Sequence, residues 1–249
     1  MLAQLYASKG DTAKAITQYK KAIVLAPKNA DLHFNYGELL FALGNRKEAL
    51  TQYKEAVAAD KRHAGALFRL GEAYQLRKAY KKAIASYREA AIADPKLLAE
   101  ASYKAGSAYF SLGKTQLEIG EYLEALKQNP KHHRARIALG FAYARLRNYK
   151  QAIRYLHRAT KEAPQDPIAQ YYLAFTLYNT GKVDEAIVAY HAAVRVRPRF
   201  AEAHYYLGKI YEERKEKAKA IASFKAALVA NPKYSEAALA LAKIQGGTR

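Results

Sequence analysis

Six prolines, Pro27, Pro95, Pro130, Pro164, Pro198 and Pro232, stand 68, 35, 34, 34 and 34 residues apart. One 34-residue period fits them all if Lys61 fills the vacant place. A fixed period of this length marks a stacked repeat array, in which each unit buries its apolar face only against its neighbours.

Each period holds two stretches of helical apolar spacing. Small residues recur where helices must approach: Gly37, Gly71, Gly106, Gly140, Ala174 and Gly208 in the first stretch, and Ala49, Ala83, Ala152, Ala186 and Ala220 in the second. A third series, Ala22, Ala56, Ala90, Ala125, Ala159, Ala193 and Ala227, lies just before the period boundary, where the proline is placed to stop the second helix. Aromatics keep the same phase, with Tyr6, Tyr74, Tyr109, Tyr143 and Tyr211 in first helices and Tyr19, Tyr53, Tyr87, Tyr122, Tyr190 and Phe224 in second helices. They read as packing knobs rather than a cofactor box. No stretch is left over for strands, so the fold class is all-α.

The stretches FNYGELLFALGNRKEALTQYKEAVAADK and AHYYLGKIYEERKEKAKAIASFKAALVANP carry Leu-Gly, Tyr, Ala, aromatic, Ala and Pro positions in the order of the tetratricopeptide repeat family. The chain resembles that family over essentially its whole length. The resemblance implies a right-handed α-solenoid of tandem helix-turn-helix repeats. It gives a single solenoid over 1–249: an incomplete repeat 1–29, full repeats 30–63, 64–97, 99–132, 133–166, 167–200 and 201–234, a C-terminal cap helix 235–245 and a tail 246–249. Met1 falls inside a first helix, which suggests a chain cut from a longer protein. The repeat 99–132 departs from the pattern, with Leu98 inserted before it, Glu118 where Ala is expected and Gly120 inside the second helix. That irregularity reads either as tolerated or as a bend in the superhelix.

In this family first helices line the concave groove. The resemblance therefore makes Asn35, Arg69 and Lys104 groove candidates in a charged N-terminal half. It makes Phe141, Tyr171, Tyr172, Phe175, Tyr178, Tyr205 and Tyr206 an aromatic wall in the C-terminal half. An exposed wall of that kind marks an interaction site, whereas the uncharged first helix of 167–200 could instead be buried by its neighbours. The family's carboxylate clamp is incomplete: Asn35 and Arg69 match, but Gly65 replaces a Lys and Gln4 an Asn. Binding of a chaperone tail is disfavoured accordingly.

Charge is unevenly spread. The chain has 42 Lys and Arg against 22 Asp and Glu, a net +20, which favours acidic partners. Between Lys127 and Lys161 there are ten bases and no acid. Lys150, Arg154, Arg158 and Lys161 share one face of a second helix, and with Arg134 and Arg136 they form a candidate basic patch. That patch could meet an acidic protein, an anionic membrane or nucleic acid, or be plain solvation. Nucleic acid is disfavoured because neither stacking aromatics nor a groove-reading element accompanies it.

Chemistry finds no foothold. There is no cysteine, no Walker loop, HExxH or GxSxG motif, and the histidines sit at repeat-equivalent places too far apart to share a metal. We therefore expect no catalytic residue, no metal and no cofactor. The expected function is a non-catalytic scaffold that holds a peptide or helix of a partner protein in its groove, within a multiprotein assembly. The alternatives are an electrostatic adaptor acting through 133–166 and self-association into homo-oligomers. No run is apolar enough to span a bilayer and Met1 to Lys14 lacks the basic-then-apolar order of a signal peptide, so membrane contact would be peripheral and the expected compartment is the cytoplasm.

Overall fold

The computed structural model describes residues 2–246. Among them are fifteen α-helices, one short 3-10 turn at Pro95–Leu97 and no strand. The helices come as hairpins: α1 (Leu2–Ser8) with α2 (Thr12–Leu25), α3 (Ala30–Ala42) with α4 (Arg46–Ala59), α5 (Ala64–Leu76) with α6 (Tyr80–Ala93), and α7 (Leu98–Ser111) with α8 (Thr115–Gln128). The series continues with α9 (His133–Arg145) and α10 (Tyr149–Glu162), α11 (Pro167–Asn179) and α12 (Val183–Val196), α13 (Ala201–Glu213) and α14 (Lys217–Ala230), and ends on α15 (Ser235–Gly246). Met1 and residues 247–249 of the expected tail lie outside the described residues.

Several helices, α3, α5 and α11 among them, start at a side chain that accepts one of the first free backbone N–H groups. Asn29 accepts from Leu32 N at 3.1 Å, Asp166 from Ile168 N at 2.8 Å, and the His63 Nδ1 from Ala66 N at 3.1 Å. Within each hairpin the chain reverses through one left-handed residue. Gly10, Gly44, Gly113 and Gly181 hold it with φ between 69 and 81°, and Lys78, Arg147 and Lys215 hold it with φ of 57 to 62°. The two helices then close on each other because the first carries at the crossing either no side chain, as at Gly37, Gly71, Gly106, Gly140 and Gly208, or only a methyl, as at Ala174. A Cβ on Gly71 would lie 2.7 Å from the Tyr87 ring, and one on Gly208 would lie 2.6 Å from Phe224.

The extra residue of the irregular repeat is taken up by α7, which opens at Leu98 after the Pro95–Leu97 turn and runs 14 residues where the first helices of the other full repeats run 13. Glu118, at the place where Ala49, Ala83, Ala152, Ala186 and Ala220 are buried, is itself buried. Gly120 is helical and exposed, with open space where a Cβ would go.

The chain forms two compact units, one up to His132 and one from His133. Unit 1 holds two apolar clusters, one around Tyr36, Leu40, Leu50 and Tyr53 and one around Ile84, Tyr87 and Ala105. Unit 2 holds one cluster running from Ile137 through Leu156, Leu173, Tyr190 and Leu207 to Phe224 and Ala237.

In four of the six full repeats a ring at the end packs on the fifth residue of the repeat: His63 on Phe34 at 4.9 Å, His132 on Tyr103 at 5.0 Å, Phe200 on Tyr171 at 4.9 Å and Tyr234 on Tyr205 at 5.2 Å. Several histidines are structural fasteners. His33 bridges the Gln52 side chain and the Pro27 carbonyl, His204 repeats the contact to Pro198, and His63 reaches Asp31.

Candidate functional site

The first-helix faces of the two units differ in kind. In unit 1 the candidates belong to a ladder of alternating charge. Arg69 donates through Nε and Nη2 to one Glu38 oxygen, at 3.2 and 2.8 Å, and through Nη1 to Glu72 at 2.8 Å. Lys104 reaches the other Glu72 oxygen at 2.8 Å, and Tyr53 donates to Glu38 at 2.6 Å. Burial pulls the Glu72 pKa up, but the Lys104 ammonium and Arg69 guanidinium outweigh it and hold the group below its ordinary value. Two carboxylates therefore flank Arg69 and satisfy it, an arrangement that repels an incoming carboxylate rather than gripping one. Asn35 lies apart, in a cleft with Gln4, Tyr19 and Asp31.

In unit 2 the face is aromatic. Phe141 of α9 stacks on Tyr172 of α11 with ring centres 4.3 Å apart, and Tyr171 packs against Tyr172 at 5.3 Å. Phe175 and Tyr178 meet Tyr206 edge-on at 5.5 and 6.3 Å, and Tyr205 adjoins Tyr206 at 5.5 Å. All seven rings are half-buried. The expected exposed wall is corrected in this respect: the rings cover one another's faces, and neither full exposure nor full burial describes them. Between them opens a cleft of about 470 Å³ lined by Phe141, Tyr172, Phe175 and Tyr206, with Arg197 and Glu202 as its charged residues. The guanidinium of Arg197 lies 4.9 Å over Phe200, and that of Arg145 lies 5.9 Å over Phe141.

The polar edges of these rings are distinctive. In unit 1 two fully buried tyrosines find partners, Tyr53 in Glu38 and Tyr87 in Gln75 at 2.9 Å. In unit 2 the place equivalent to Glu38 is Phe175, and the hydroxyl of the fully buried Tyr190 has no partner. Nor, among the described residues, does any group hydrogen-bond the hydroxyls of Tyr171, Tyr172, Tyr205 or Tyr206, while Tyr178 donates to Glu213. Burial pushes the pKa values of Tyr171, Tyr172, Tyr205 and Tyr206 above their ordinary 10.0, so these hydroxyls remain protonated donors at neutral pH.

The basic residues divide. Arg134, Lys150, Arg154, Arg158 and Lys161 are exposed, and Arg158 also donates to Glu162 at 2.9 Å. Arg136 is corrected: it is 2% exposed and bonded to Glu162. It occupies the fourth place of its repeat, where His33, Leu67 and Ser102 are buried and Gln170 and His204 half-buried, so the fold turns it inward despite its charge. Burial accordingly lowers its pKa.

Ile168, Arg197, Phe200 and Glu202 line the aromatic site although motif positions did not single them out, and Tyr190, read from the sequence as a packing knob, stacks on Tyr206 there. For Phe200 a signal existed: it stands 29 residues after Tyr171, the same spacing as His63 after Phe34. Arg197 and Glu202 sit at or beside a loop, where no helical pattern marks them. Among the described residues no group of three His, Cys, Asp or Glu is placed to hold a metal ion, and no helix is long and apolar enough to cross a membrane.

Family models described as tetratricopeptide repeat match residues 39–97, 137–190, 176–235 and 99–132, and a further TPR repeat model matches 3–44. The chain belongs to the tetratricopeptide repeat family. No curated protein matches the sequence. Among solved structures, a tetratricopeptide repeat protein from Parabacteroides merdae is 24% identical, with 98% of this chain and 96% of that one covered and a TM-score of 0.71. The C-terminal part of a TPR repeat-containing protein from Cytophaga hutchinsonii is 18% identical, covering 96% of this chain and 98% of that one at a TM-score of 0.73. The APC/C hetero-tetramer Cut9-Hcn1 gives 16% identity and a TM-score of 0.72 over 97% of this chain and 48% of its counterpart, so this chain spans about half of that one. At these identities the likeness shows the fold, an α-solenoid of tandem repeats.

Proposed function

We propose that this chain is a non-catalytic scaffold that holds a segment of a partner protein on the first-helix face of unit 2, within a multiprotein assembly. The observation that carries the reading is the aromatic cleft, where rings from α9, α11 and α13 converge with Arg197 and Glu202 as the charged residues of the lining. Aromatic side chains supply much of the energy at protein interfaces. A fold shared with a subunit assembly such as Cut9-Hcn1 supports the same reading. Each fully buried large apolar side chain contributes about 1.5–3 kcal/mol, against about 4–15 kcal/mol for the cost of association. A few ring contacts therefore give micromolar binding, and flanking charges or linked sites supply the rest.

A second reading draws on α10, whose Lys150, Arg154, Arg158 and Lys161 are all exposed on one helix with Glu162 as its one acid. It would bring an acidic protein or an anionic surface to the other face of the same unit, and its binding would weaken steeply with salt.

A nuclease-treated pull-down from native lysate separates the two. The parent is compared with a Phe141→Ala, Tyr172→Ala, Phe175→Ala variant and an Arg154→Glu, Arg158→Glu variant, each checked for helicity by circular dichroism. Loss of a defined protein only with the ring variant supports the scaffold reading. Loss only with the charge variant overturns it in favour of α10.

A further inference from the structure

We propose that the exposed side of α10 is a docking site for an acidic segment of a partner protein. The proposal rests on the second reading above and commits it to one kind of partner. Lys150, Arg154, Arg158 and Lys161 follow one another four, four and three residues apart, a row of about 16 Å at the helical rise. All four are exposed, and Lys150, Arg154 and Lys161 have no carboxylate partner among the described residues. The one acid of the helix, Glu162, is taken by Arg158 and by the buried Arg136. In other helices cations are answered within the chain: Arg69 by Glu38 and Glu72, Arg88 by Glu121 and Arg214 by Asp184. The fold does not ask for the row on α10, since the same places on α14 are Ala218, Ala222, Ala226 and Val229. Like charges four residues apart destabilise a helix, and Lys150 stands in the first turn, where the helix dipole disfavours a cation. Carboxylates from a partner relieve both.

The surroundings favour a single acidic chain over a broad anionic surface. On α12 the places of Lys150 and Arg154 are held by Asp184 and Val188, both exposed, so the basic row is not continued there. Every apolar residue of α10 is buried or half-buried, which leaves none to insert among acyl chains. Its Tyr155 is half-buried and stacked on Tyr143 at 5.8 Å, so no open ring is offered to a base. A segment with carboxylates about 6 Å apart meets the cations one for one. No residue of α10 lines the aromatic cleft, so a segment docked on α10 leaves the cleft open.

Fluorescence anisotropy on the full chain at physiological salt tests this with a fluorescein-labelled, alanine-rich peptide carrying four Glu spaced four, four and three residues apart. The comparisons are the same peptide with Gln for each Glu, a labelled DNA duplex, and co-sedimentation with vesicles containing phosphatidylserine. The Gln peptide should bind at least about fivefold more weakly than the Glu peptide, and Arg154→Glu, Arg158→Glu should weaken the Glu peptide by at least about fivefold. A Lys54→Glu, Lys61→Glu variant changes the net charge equally on exposed residues of unit 1. It should stay within about twofold of the parent, because screening confines the effect of a surface charge to its neighbourhood. Circular dichroism checks that both variants keep their helices.

Equal affinity for the two peptides overturns the proposal. So do equal losses in the two charge variants, or no binding of the Glu peptide at millimolar concentration. If the duplex or the vesicles bind more tightly than the Glu peptide and lose that binding with Arg154→Glu, Arg158→Glu, the proposal falls while the α10 reading survives with another anion. If that variant keeps every one of these probes at parental affinity, both fall.

Discussion

The ring of Tyr190 lies parallel to that of Tyr206, planes 2° apart and centres 5.7 Å apart, and the Tyr190 hydroxyl beneath it has no partner. A buried hydroxyl without a bond costs its desolvation, about 1–3 kcal/mol. Tyr190→Phe should therefore leave unit 2 as stable or raise its stability by about 1 kcal/mol. Tyr53→Phe, which removes the bond to Glu38, should lower the stability of unit 1 by about 1 kcal/mol. Urea melts of the two variants should move in opposite directions; a loss of stability in Tyr190→Phe would contradict the orphaned hydroxyl.

The same substitution, Gly to Ala, should have opposite signs at two places. At Gly71 the added Cβ would meet the Tyr87 ring at 2.7 Å, and forcing that ring aside should cost about 1–3 kcal/mol. At Gly120 the Cβ meets nothing, and a mid-helix Gly gives way to Ala with a gain of about 0.5–1 kcal/mol. Thermal melts of both variants check the pair.

Lys215 holds a left-handed conformation, φ 62°, at a turn where Gly181 and Gly113 serve in other repeats. An L-residue pays about 1–2 kcal/mol for it, partly offset by the greater entropy glycine loses on folding. Lys215→Gly should raise stability by about 0.5–1 kcal/mol, and Lys215→Val should lower it; denaturant midpoints read both.

Acid should weaken unit 1 through Glu72. Its carboxyl, flanked by Lys104 and Arg69, is held below the ordinary 4.5 in the folded chain. The unfolded chain therefore takes up the proton first as pH falls. The stability conferred is whole above about 4.5 and drains as pH drops through the lower folded value. Glu72→Gln should flatten that part of the stability profile, and a variant with an unchanged acid limb would refute the assignment.

Much of the fold was legible before any coordinates. The proline spacing, the paired small-residue series and the aromatic phase named the hairpins, because a stack of identical contacts must repeat its residue types at the same interval. The seven aromatic candidates are a product of the same logic: Phe141, Tyr171, Tyr172, Phe175, Tyr178, Tyr205 and Tyr206 were all found by counting places within the repeat. Arg136 shows where charge counting fails, since its place in the repeat outweighs its chemistry and Glu162 receives it indoors.

What the sequence determined by itself was thus the hairpin, its period and the residues that face one way along it, all consequences of local geometry repeated. Only the tertiary structure decided which of those side chains satisfy one another. It tied Arg69 and Lys104 into a ladder with Glu38 and Glu72, and left the hydroxyls of Tyr171, Tyr172, Tyr190 and Tyr206 without an acceptor among the described residues. Hydrogen bonds act over about 3 Å, and partners 31 and 32 residues apart reach that distance only once the hairpins have stacked.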